Sequence, residues 1–157
     1  MRYDAIVIGT GQAGPPLARK LADTGWKVAI AEGGKFGGSC VNHGCTPSKA
    51  MIGSAKAIHA ARRGAEFGFS AGEVVVDFAR VMQRQQEIVS GSREGLIKSL
   101  EERENITIYR DYAAFEGAHA VRVSGELIEA DKIFINVGAR ALVPKVEGLD
   151  SVPYLTN

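Results

Sequence analysis

Hydrophobic and polar residues alternate along this chain with two different periods, which divide it into strands and helices. Residues 3–8 form a nearly continuous apolar run, typical of a buried strand in a parallel sheet. Apolar positions at helical spacing follow to about Thr24, and Gly25 fits the C-terminal cap of that helix. A second apolar run at 27–32 completes the pattern. The chain is therefore predicted to open with a βαβ unit.

The remaining pattern predicts two more helices and a group of strands. Residues 48–63 are rich in alanine, and apolar positions at helical spacing run from about 77 to 103, where Gly91 and Gly95 are expected to weaken or kink the helix. Short apolar runs predict the strands, which are a third parallel strand at 106–109, a small antiparallel meander at 113–115, 120–123 and 126–128, and a buried strand at 132–137. We therefore predict an α/β fold with a parallel sheet and a small β-meander.

Composition and charge narrow the classes of partner. A chain of 157 residues, 45% hydrophobic and 24% charged, predicts one globular domain. Its net charge of +1 gives no electrostatic reason to expect nucleic acid or a membrane surface as a partner. The first apolar run is too short for a signal peptide or a membrane span, so a cytoplasmic protein is expected.

A glycine-rich turn follows the first strand with the spacing of a dinucleotide site. Gly9 allows the tight turn, Gly11 lets a pyrophosphate approach the backbone, and Gly14 lets the helix pack on the strand. Glu32 ends the second strand, where a carboxylate can accept hydrogen bonds from ribose hydroxyls. Because the next two residues are prolines, which lack N–H groups, phosphate donors are expected only from the turn up to Gly14.

Both cysteines of the chain, Cys40 and Cys45, lie within six residues of each other. Positions five apart on a regular helix differ by about 140° and about 7.5 Å of rise, which does not suit a disulfide. The segment is therefore predicted to be a distorted turn, with Gly44 as its most permissive residue. Pro47 fits the first turn of a following helix, so Cys45 is placed just before a helix N-terminus, where the dipole favours a thiolate.

A metal site is the alternative interpretation of this segment. Cys40, His43 and Cys45 supply three ligands, but a closed zinc site needs four and no second cluster exists in the sequence. His59 and His119 stand alone and are expected to be solvated or hydrogen-bonded. We therefore predict no metal site, and a redox-active dithiol is the preferred interpretation.

The segment Gly-Gly-Ser-Cys-Val-Asn-His-Gly-Cys-Thr-Pro-Ser-Lys at 37–49 resembles the active-site signature of the pyridine nucleotide–disulfide oxidoreductases. This family of FAD flavoproteins includes dihydrolipoamide dehydrogenase, glutathione reductase and mercuric reductase. The resemblance runs from Tyr3 to Asn157, and residues 133–140 are most similar to the mercuric reductase branch. It implies that 1–157 is a Rossmann-like FAD-binding domain without the last strand of that domain, and without the NAD(P)H-binding and dimerisation domains.

The resemblance also assigns roles to individual residues. Cys45 corresponds to the flavin-proximal thiol, Cys40 to the thiol that exchanges with substrate, and Ala113 to a backbone contact with adenine. Asp111 and Asn136-Val137 depart from the family pattern, which usually has Gly and Ala-Thr there. The full list of implied FAD contacts is Gly9, Gly11, Gln12, Ala13, Gly14, Glu32, Gly38, Ser39, Lys49, Ala113 and Gly138.

The implied activity is electron transfer from NAD(P)H through FAD to the Cys40–Cys45 pair, and from there to a small-molecule disulfide or Hg(II). The parent protein is expected to be a homodimer. A rival hypothesis is an FAD-binding or structural fragment that is catalytically incomplete, and turnover distinguishes the two. A nicotinamide-binding dehydrogenase domain is disfavoured because it leaves the cysteine pair unexplained.

Overall fold

The computed structural model of the chain describes residues 1–156; Asn157, the last residue of the predicted domain, lies outside the described residues. A six-stranded sheet with strand order β3-β2-β1-β6-β5-β4 forms its centre. Its strands are β1 (Arg2–Ile8), β2 (Val28–Ala31), β3 (Ile106–Tyr109), β4 (Ala113–Gly117), β5 (Ala120–Val123) and β6 (Glu126–Ile135). The predicted α/β fold is confirmed.

The parallel part of the sheet brings the ends of four strands to one edge. Strands β3, β2, β1 and β6 run parallel, whereas β6, β5 and β4 pair antiparallel as the predicted meander. Ile8 at the end of β1 is in register with Ala31 of β2 and Ile135 of β6. The turns that follow these strands therefore meet at the same edge, which is where open parallel sheets bind ligands.

Helices cover one face of the sheet. Helices α1 (Gly14–Asp23) and α4 (Phe78–Glu101) lie on this face, whereas α2 (Gly38–Asn42) and α3 (Cys45–Arg62) pack against α4. Short 3₁₀ turns lie at Gly64–Phe67 and Leu149–Ser151. Ala18 of α1 and Leu100 of α4 are buried with Val7, Val28 and Ile30 of the sheet. Burial of this apolar surface fixes both helices on the βαβ unit. Within residues 1–156, no helix combines the length and the apolar composition that crossing a membrane requires.

Both α1 and α4 have a capping residue, of which Gly25 was predicted from the sequence. Gly25 has a φ of 90° just after α1, as a helix-ending glycine should. Asp77 precedes α4, and its Oδ1 accepts a hydrogen bond from Arg80 N at 3.0 Å. Gly91 and Gly95 do not interrupt α4, which is a single helix of 24 residues. The predicted weak point is therefore absent from the secondary structure of this helix.

The opposite face of the sheet is covered by the meander. Ile6 and Ala29 of the parallel strands are buried together with Val121, Val123 and Ile128 of the meander. At its margin the hydroxyls of Tyr3 and Tyr109 lie 2.9 Å apart. Burial, followed by the hydrogen bond with Tyr3, raises the pKa of Tyr109 above its usual range. The two covered faces leave the strand ends at the edge as the open part of the sheet.

Two predicted boundaries are wrong. The strands expected at 126–128 and 132–137 are one strand, β6, because the residues between them contain neither Gly nor Pro and simply continue the pairing from β5 to β1. The second half of β6 is also not buried as predicted: Ile133 and Phe134 are half-buried, and Ile135 is 65% exposed. The helix expected from residue 48 begins at Cys45, so that Cys45 is its first residue and does not precede it.

Candidate functional site

A cleft of about 390 Å³ lies at the edge where the parallel strands end. The glycine turn forms one wall, the ends of β2 and β6 form the floor, and the start of α2 forms the opposite rim. Its lining includes most of the predicted FAD contacts, namely Gly9, Gly11, Gln12, Glu32, Gly38, Ser39, Ala113 and Gly138. Residues that are distant in sequence are therefore brought together as the dinucleotide hypothesis requires.

Three predicted contacts do not line this cleft. Ala13 and Gly14 lie behind the turn at the start of α1, where they border a separate hollow on the helix side. Lys49 is an exposed residue one turn along α3 from Cys45, close enough to act on the cysteine pair by its charge. The structure thus places Lys49 with the thiols, outside the nucleotide cleft.

Close backbone contacts explain why the turn needs glycines. A Cβ on Gly9, whose φ is 102°, would lie 2.2 Å from the carbonyl oxygen of Asn136. A Cβ on Gly14 would lie 2.2 Å from the carbonyl oxygen of Gly9. On the cleft side, a Cβ on Gly38 would lie 2.9 Å from Gly11 Cα, so the start of α2 packs directly on the turn. Side chains at these positions would separate the turn from β6 or from the cysteine segment.

Thr10, which the sequence analysis did not select, joins three parts of the site. It is fully buried, and its N–H and Oγ1–H both donate to Glu32 Oε2, at 2.9 and 2.5 Å. Gly37 N donates in turn to Thr10 Oγ1 at 3.1 Å. The other carboxylate oxygen of Glu32 accepts from Gly34 N at 2.9 Å. Thr10 therefore fixes the carboxylate and ties the glycine turn to the loop before α2.

The far end of the cleft is closed by an aromatic side chain that was also missed. The ring of Tyr112 covers the backbone of Gly33, where an added Cβ would lie 2.5 Å from the ring. Asp111 Oδ1 accepts from Tyr112 N at 2.7 Å, which orders this turn just before Ala113. The only sequence signal was an aromatic residue next to the expected adenine contact. This end of the cleft offers a flat apolar surface beside exposed backbone.

The cysteine segment is a helix break, as predicted. Cys40 lies in α2 and Cys45 begins α3, and between them Gly44 adopts φ −118° and ψ −103°. Both cysteines are free thiols, Cys40 half-buried and Cys45 exposed. Together with His43 they border a small cavity of about 180 Å³. A side-chain hydrogen bond with Cys45, and then burial, raise the pKa of the Cys40 thiol, while the charge of Lys49 opposes this rise.

The cysteine segment is held in place by α4. Asn42 Nδ2 donates to the carbonyl oxygens of Phe36 and Gly38, both at 2.9 Å. Arg93 of α4 donates from Nε and Nη2 to Asn42 Oδ1, at 3.0 and 2.7 Å. The side-chain amide of Asn42 thus both donates and accepts hydrogen bonds. These bonds connect the short helix α2 to the loop that precedes it and to α4.

Across the described part of the chain, 1–156, no three His, Cys, Asp or Glu residues are grouped so that they could hold a metal ion. His43 is exposed at the helix break, and no carboxylate is hydrogen-bonded to it in the same residues. The site that the geometry does present is a nucleotide-sized cleft adjoining a dithiol.

Proteins similar in sequence to this chain include several that are named as oxidoreductases. The chain is 35% identical over 158 residues to the probable pyridine nucleotide-disulfide oxidoreductase RclA of Escherichia coli, covering 97% of this chain and 32% of that protein. It is 32% identical over 155 residues to a mercuric reductase of Lysinibacillus sphaericus, covering 99% of this chain and 28% of that protein. A dihydrolipoyl dehydrogenase of Acholeplasma laidlawii is 32% identical over 148 residues, covering 94% of this chain and 44% of the relative.

A solved structure extends the similarity to the fold. The HOCl-induced flavoprotein disulfide reductase RclA from Escherichia coli matches with a TM-score of 0.78 at 35% identity, over 96% of this chain and 32% of that one. The chain therefore spans about a third of the length of such relatives. The family model described as pyridine nucleotide-disulphide oxidoreductase matches residues 3–157. On this evidence the chain belongs to the pyridine nucleotide-disulphide oxidoreductase family.

Proposed function

We propose that residues 1–157 form the FAD-binding part of a flavoprotein that uses NAD(P)H to reduce a disulfide or a soft metal ion through Cys40 and Cys45. The observation that carries this proposal is the contact between Gly38 and Gly11, which joins the dinucleotide turn to the helix that bears Cys40. The nicotinamide pocket and the subunit interface belong, in this proposal, to other parts of the complete protein.

The residues of the cleft fit the chemistry of FAD. Gln12 N and Ala13 N have no hydrogen-bond partner within the described residues, so phosphate oxygens can serve as their acceptors. The Glu32 carboxylate is fixed at the end of β2, where a ribose hydroxyl can donate to it. Tyr112 and the backbone at Ala113 border the end of the cleft that an adenine ring would occupy. When bound, FAD supplies two-electron transfer between a nicotinamide and a disulfide.

The two thiols perform the second half of the reaction. Reduction of the Cys40–Cys45 disulfide takes up two electrons and two protons and gives two thiols. The Cys40 thiolate then attacks one sulfur of a substrate disulfide and releases the other half as a thiol. Cys45 attacks the resulting mixed disulfide, which releases the second thiol and restores the Cys40–Cys45 bond.

The chemistry of the two thiols suits two classes of substrate. Thiolates are good ligands for soft metal ions as well as nucleophiles for disulfides. Relatives of this chain include proteins named as mercuric reductases, and one solved structure is described as a Cu(II) complex of RclA. We therefore extend to this chain the reduction of a small disulfide or of Hg(II).

Nucleotide binding and thiol titration test the proposal together. The purified chain, titrated with FAD and separately with NADPH, is expected to bind FAD in preference. Thiol counting before and after mild reduction is expected to differ by two, because the pair forms a reversible disulfide. Tight binding of NADPH without any response to FAD, or two thiols that resist oxidation, would refute the proposal.

A further inference from the structure

Asn136 lies directly beneath the glycine turn and touches all three of its glycines. Its backbone N–H donates to Ile8 O at 2.7 Å, which continues the pairing of β6 with β1. Its carbonyl oxygen abuts Gly9, and its half-buried side chain lies 3.2 and 3.0 Å from the positions that Cβ atoms on Gly11 and Gly14 would take. One residue thus forms the floor of the whole turn.

The start of α1 lacks the usual means of satisfying its N–H groups. Ala13 stands at the N-cap, a position where a side-chain oxygen normally accepts a hydrogen bond, and it has none to offer. Pro15 and Pro16 then remove two of the first N–H groups altogether. Within the turn, Gly14 N donates to Gly11 O at 3.2 Å, whereas the N–H groups of Gly11, Gln12 and Ala13 find no acceptor there. A further acceptor therefore has to come from outside the turn.

The amide oxygen of Asn136 supplies that acceptor. The amide orientation is assigned from its partners: with Oδ1 toward the turn it accepts from Gly14 N at 2.9 Å and from Gly11 N at 3.3 Å, whereas Nδ2 in its place would face two donors. Gly9 N and Thr10 N are also occupied, by Ala31 O and by Glu32 Oε2. Within the described residues, Gln12 N and Ala13 N have no partner. Among the described residues, the N–H groups of the turn are thereby divided into those that have an acceptor and two, of Gln12 and Ala13, that have none.

We infer that Asn136 is a positioning residue that caps the dinucleotide turn from beneath and leaves Gln12 N and Ala13 N for the phosphates of FAD. The inference rests on the proposed binding of FAD. The neutrality of the amide is part of the role. A carboxylate at this position could accept the same two hydrogen bonds, but its negative charge would repel phosphates on the other side of the turn.

Two substitutions distinguish the loss of the hydrogen-bond acceptor at position 136 from the gain of a negative charge there. Asn136→Ala removes the acceptor, so amide exchange at Gly11 and Gly14 is expected to become faster and the dissociation constant for FAD to rise about five- to tenfold. Asn136→Asp keeps the acceptor, so exchange and the unfolding temperature without FAD are expected to stay close to those of the unmodified chain. Its dissociation constant for FAD is nevertheless expected to rise by at least about tenfold.

Asn105→Ala is the matched control. Asn105 Nδ2 donates to the carbonyl oxygens of Ala22 and Trp26, at 2.7 and 2.8 Å, at the opposite end of α1. This variant is expected to lower the unfolding temperature without changing FAD affinity or the exchange of Gly11 and Gly14. Equal losses of FAD affinity in Asn105→Ala and Asn136→Ala would show a general effect of destabilisation and overturn the inference.

The measurements are amide exchange by NMR, thermal unfolding of the chain without FAD, and FAD titration by fluorescence. Unchanged exchange at Gly11 and Gly14 in Asn136→Ala would overturn the cap, whatever FAD does. FAD binding by Asn136→Asp as tight as that of the unmodified chain would overturn the role of neutrality. If the unmodified chain fails to bind FAD while the exchange results are as expected, the proposed function fails and the cap stands.

Discussion

At the scale of single residues, the chemistry of the site depends on the contact between Cys40 and Cys45. The hydrogen bond with Cys45 and burial both raise the pKa of Cys40 above that of an ordinary cysteine. Between the ordinary and the raised value, Cys40 is therefore a protonated thiol where a free cysteine would already be ionised. Its reactivity toward alkylating agents, which follows the thiolate, is shifted to higher pH.

Replacing Cys45 tests this contact. In Cys45→Ala the hydrogen bond and the charge of the neighbouring sulfur are both removed, so the pKa of Cys40 is expected to fall toward its ordinary value. The pH dependence of iodoacetamide alkylation at Cys40, followed by mass spectrometry in the reduced unmodified chain and in the variant, gives the two midpoints. A midpoint that stays the same or rises in the variant would show that Cys45 does not perturb Cys40.

Thr10 carries a second prediction at this scale. Thr10→Val keeps the shape of the side chain but removes the donor to Glu32 and the acceptor of the Gly37 N–H. Because both partners lie in the interior of the site, the free energy of unfolding is expected to fall by about 1–3 kcal/mol. Urea unfolding measures this loss, and Thr10→Ser, which keeps the hydroxyl, is expected to recover most of it. A Thr10→Val chain as stable as the unmodified one would contradict the network.

The glycines of the turn could be predicted from the sequence, whereas Thr10 and Asn136 could not. Glycine is recognised by spacing because the turn, the strand and the helix that follow it are consecutive. The partners of Thr10 lie at residues 32 and 37, and those of Asn136 lie at 11 and 14. Such hydrogen bonds depend on the register of strands that meet only in the folded sheet. The sequence alone showed Asn136 merely as a departure from the family pattern.

At the scale of elements, the short helix α2 depends on α4 for its position. A helix of five residues is too short to be stable by itself. Arg93 reaches it through a forked pair of hydrogen bonds to Asn42, and Arg84 donates to Ala50 O of α3 at 2.9 Å. Helix α4 therefore serves as the support on which the cysteine segment is assembled.

Substitution of Arg93 tests this support. Arg93→Lys keeps the charge but loses the fork, so backbone amides of α2 are expected to exchange several-fold faster, and Cys40 to become more accessible to alkylation. Hydrogen exchange by mass spectrometry gives the readout. Arg80→Ala is the control, because Arg80 pairs with Glu87 on an exposed part of the same helix, where ion pairs stabilise by at most about 1 kcal/mol. Equal effects of both changes on α2 would contradict this support.

The order of elements was well predicted because each has a clear period and clear breaks. Strand β3 and strand β5 were placed at their observed bounds. Strand β6 was divided wrongly because one half pairs with β5 and the other with β1, and this change of partner alters which residues are exposed without ending the strand. Burial patterns in a strand report its neighbours, which are not known before the sheet is assembled.

At the scale of the whole molecule, the 157-residue chain is expected not to turn over by itself. Its described residues contain one glycine-rich strand–turn–helix unit, which we assign to FAD, and His43 has no carboxylate to orient it as a base for Cys40. General acid–base assistance alone is typically worth about 100- to 10,000-fold in rate. NADPH oxidation by the FAD-loaded chain, with a disulfide or Hg(II) as acceptor, is the assay. Turnover near one per second, which lies within the ordinary range of about 1–1000 per second, would show that the chain is self-sufficient.

The central claim is that the nucleotide cleft and the adjoining cavity of Cys40 and Cys45 bring FAD and the two thiols together. The most direct measurement is the absorbance spectrum of the FAD-loaded chain before and after reduction of the disulfide. A thiolate next to oxidised flavin is expected to donate charge to it and to add a long-wavelength band, which should be lost in Cys45→Ala and retained in Cys40→Ala. A flavin spectrum that is the same in all three proteins, with reduced thiols, would contradict the claim.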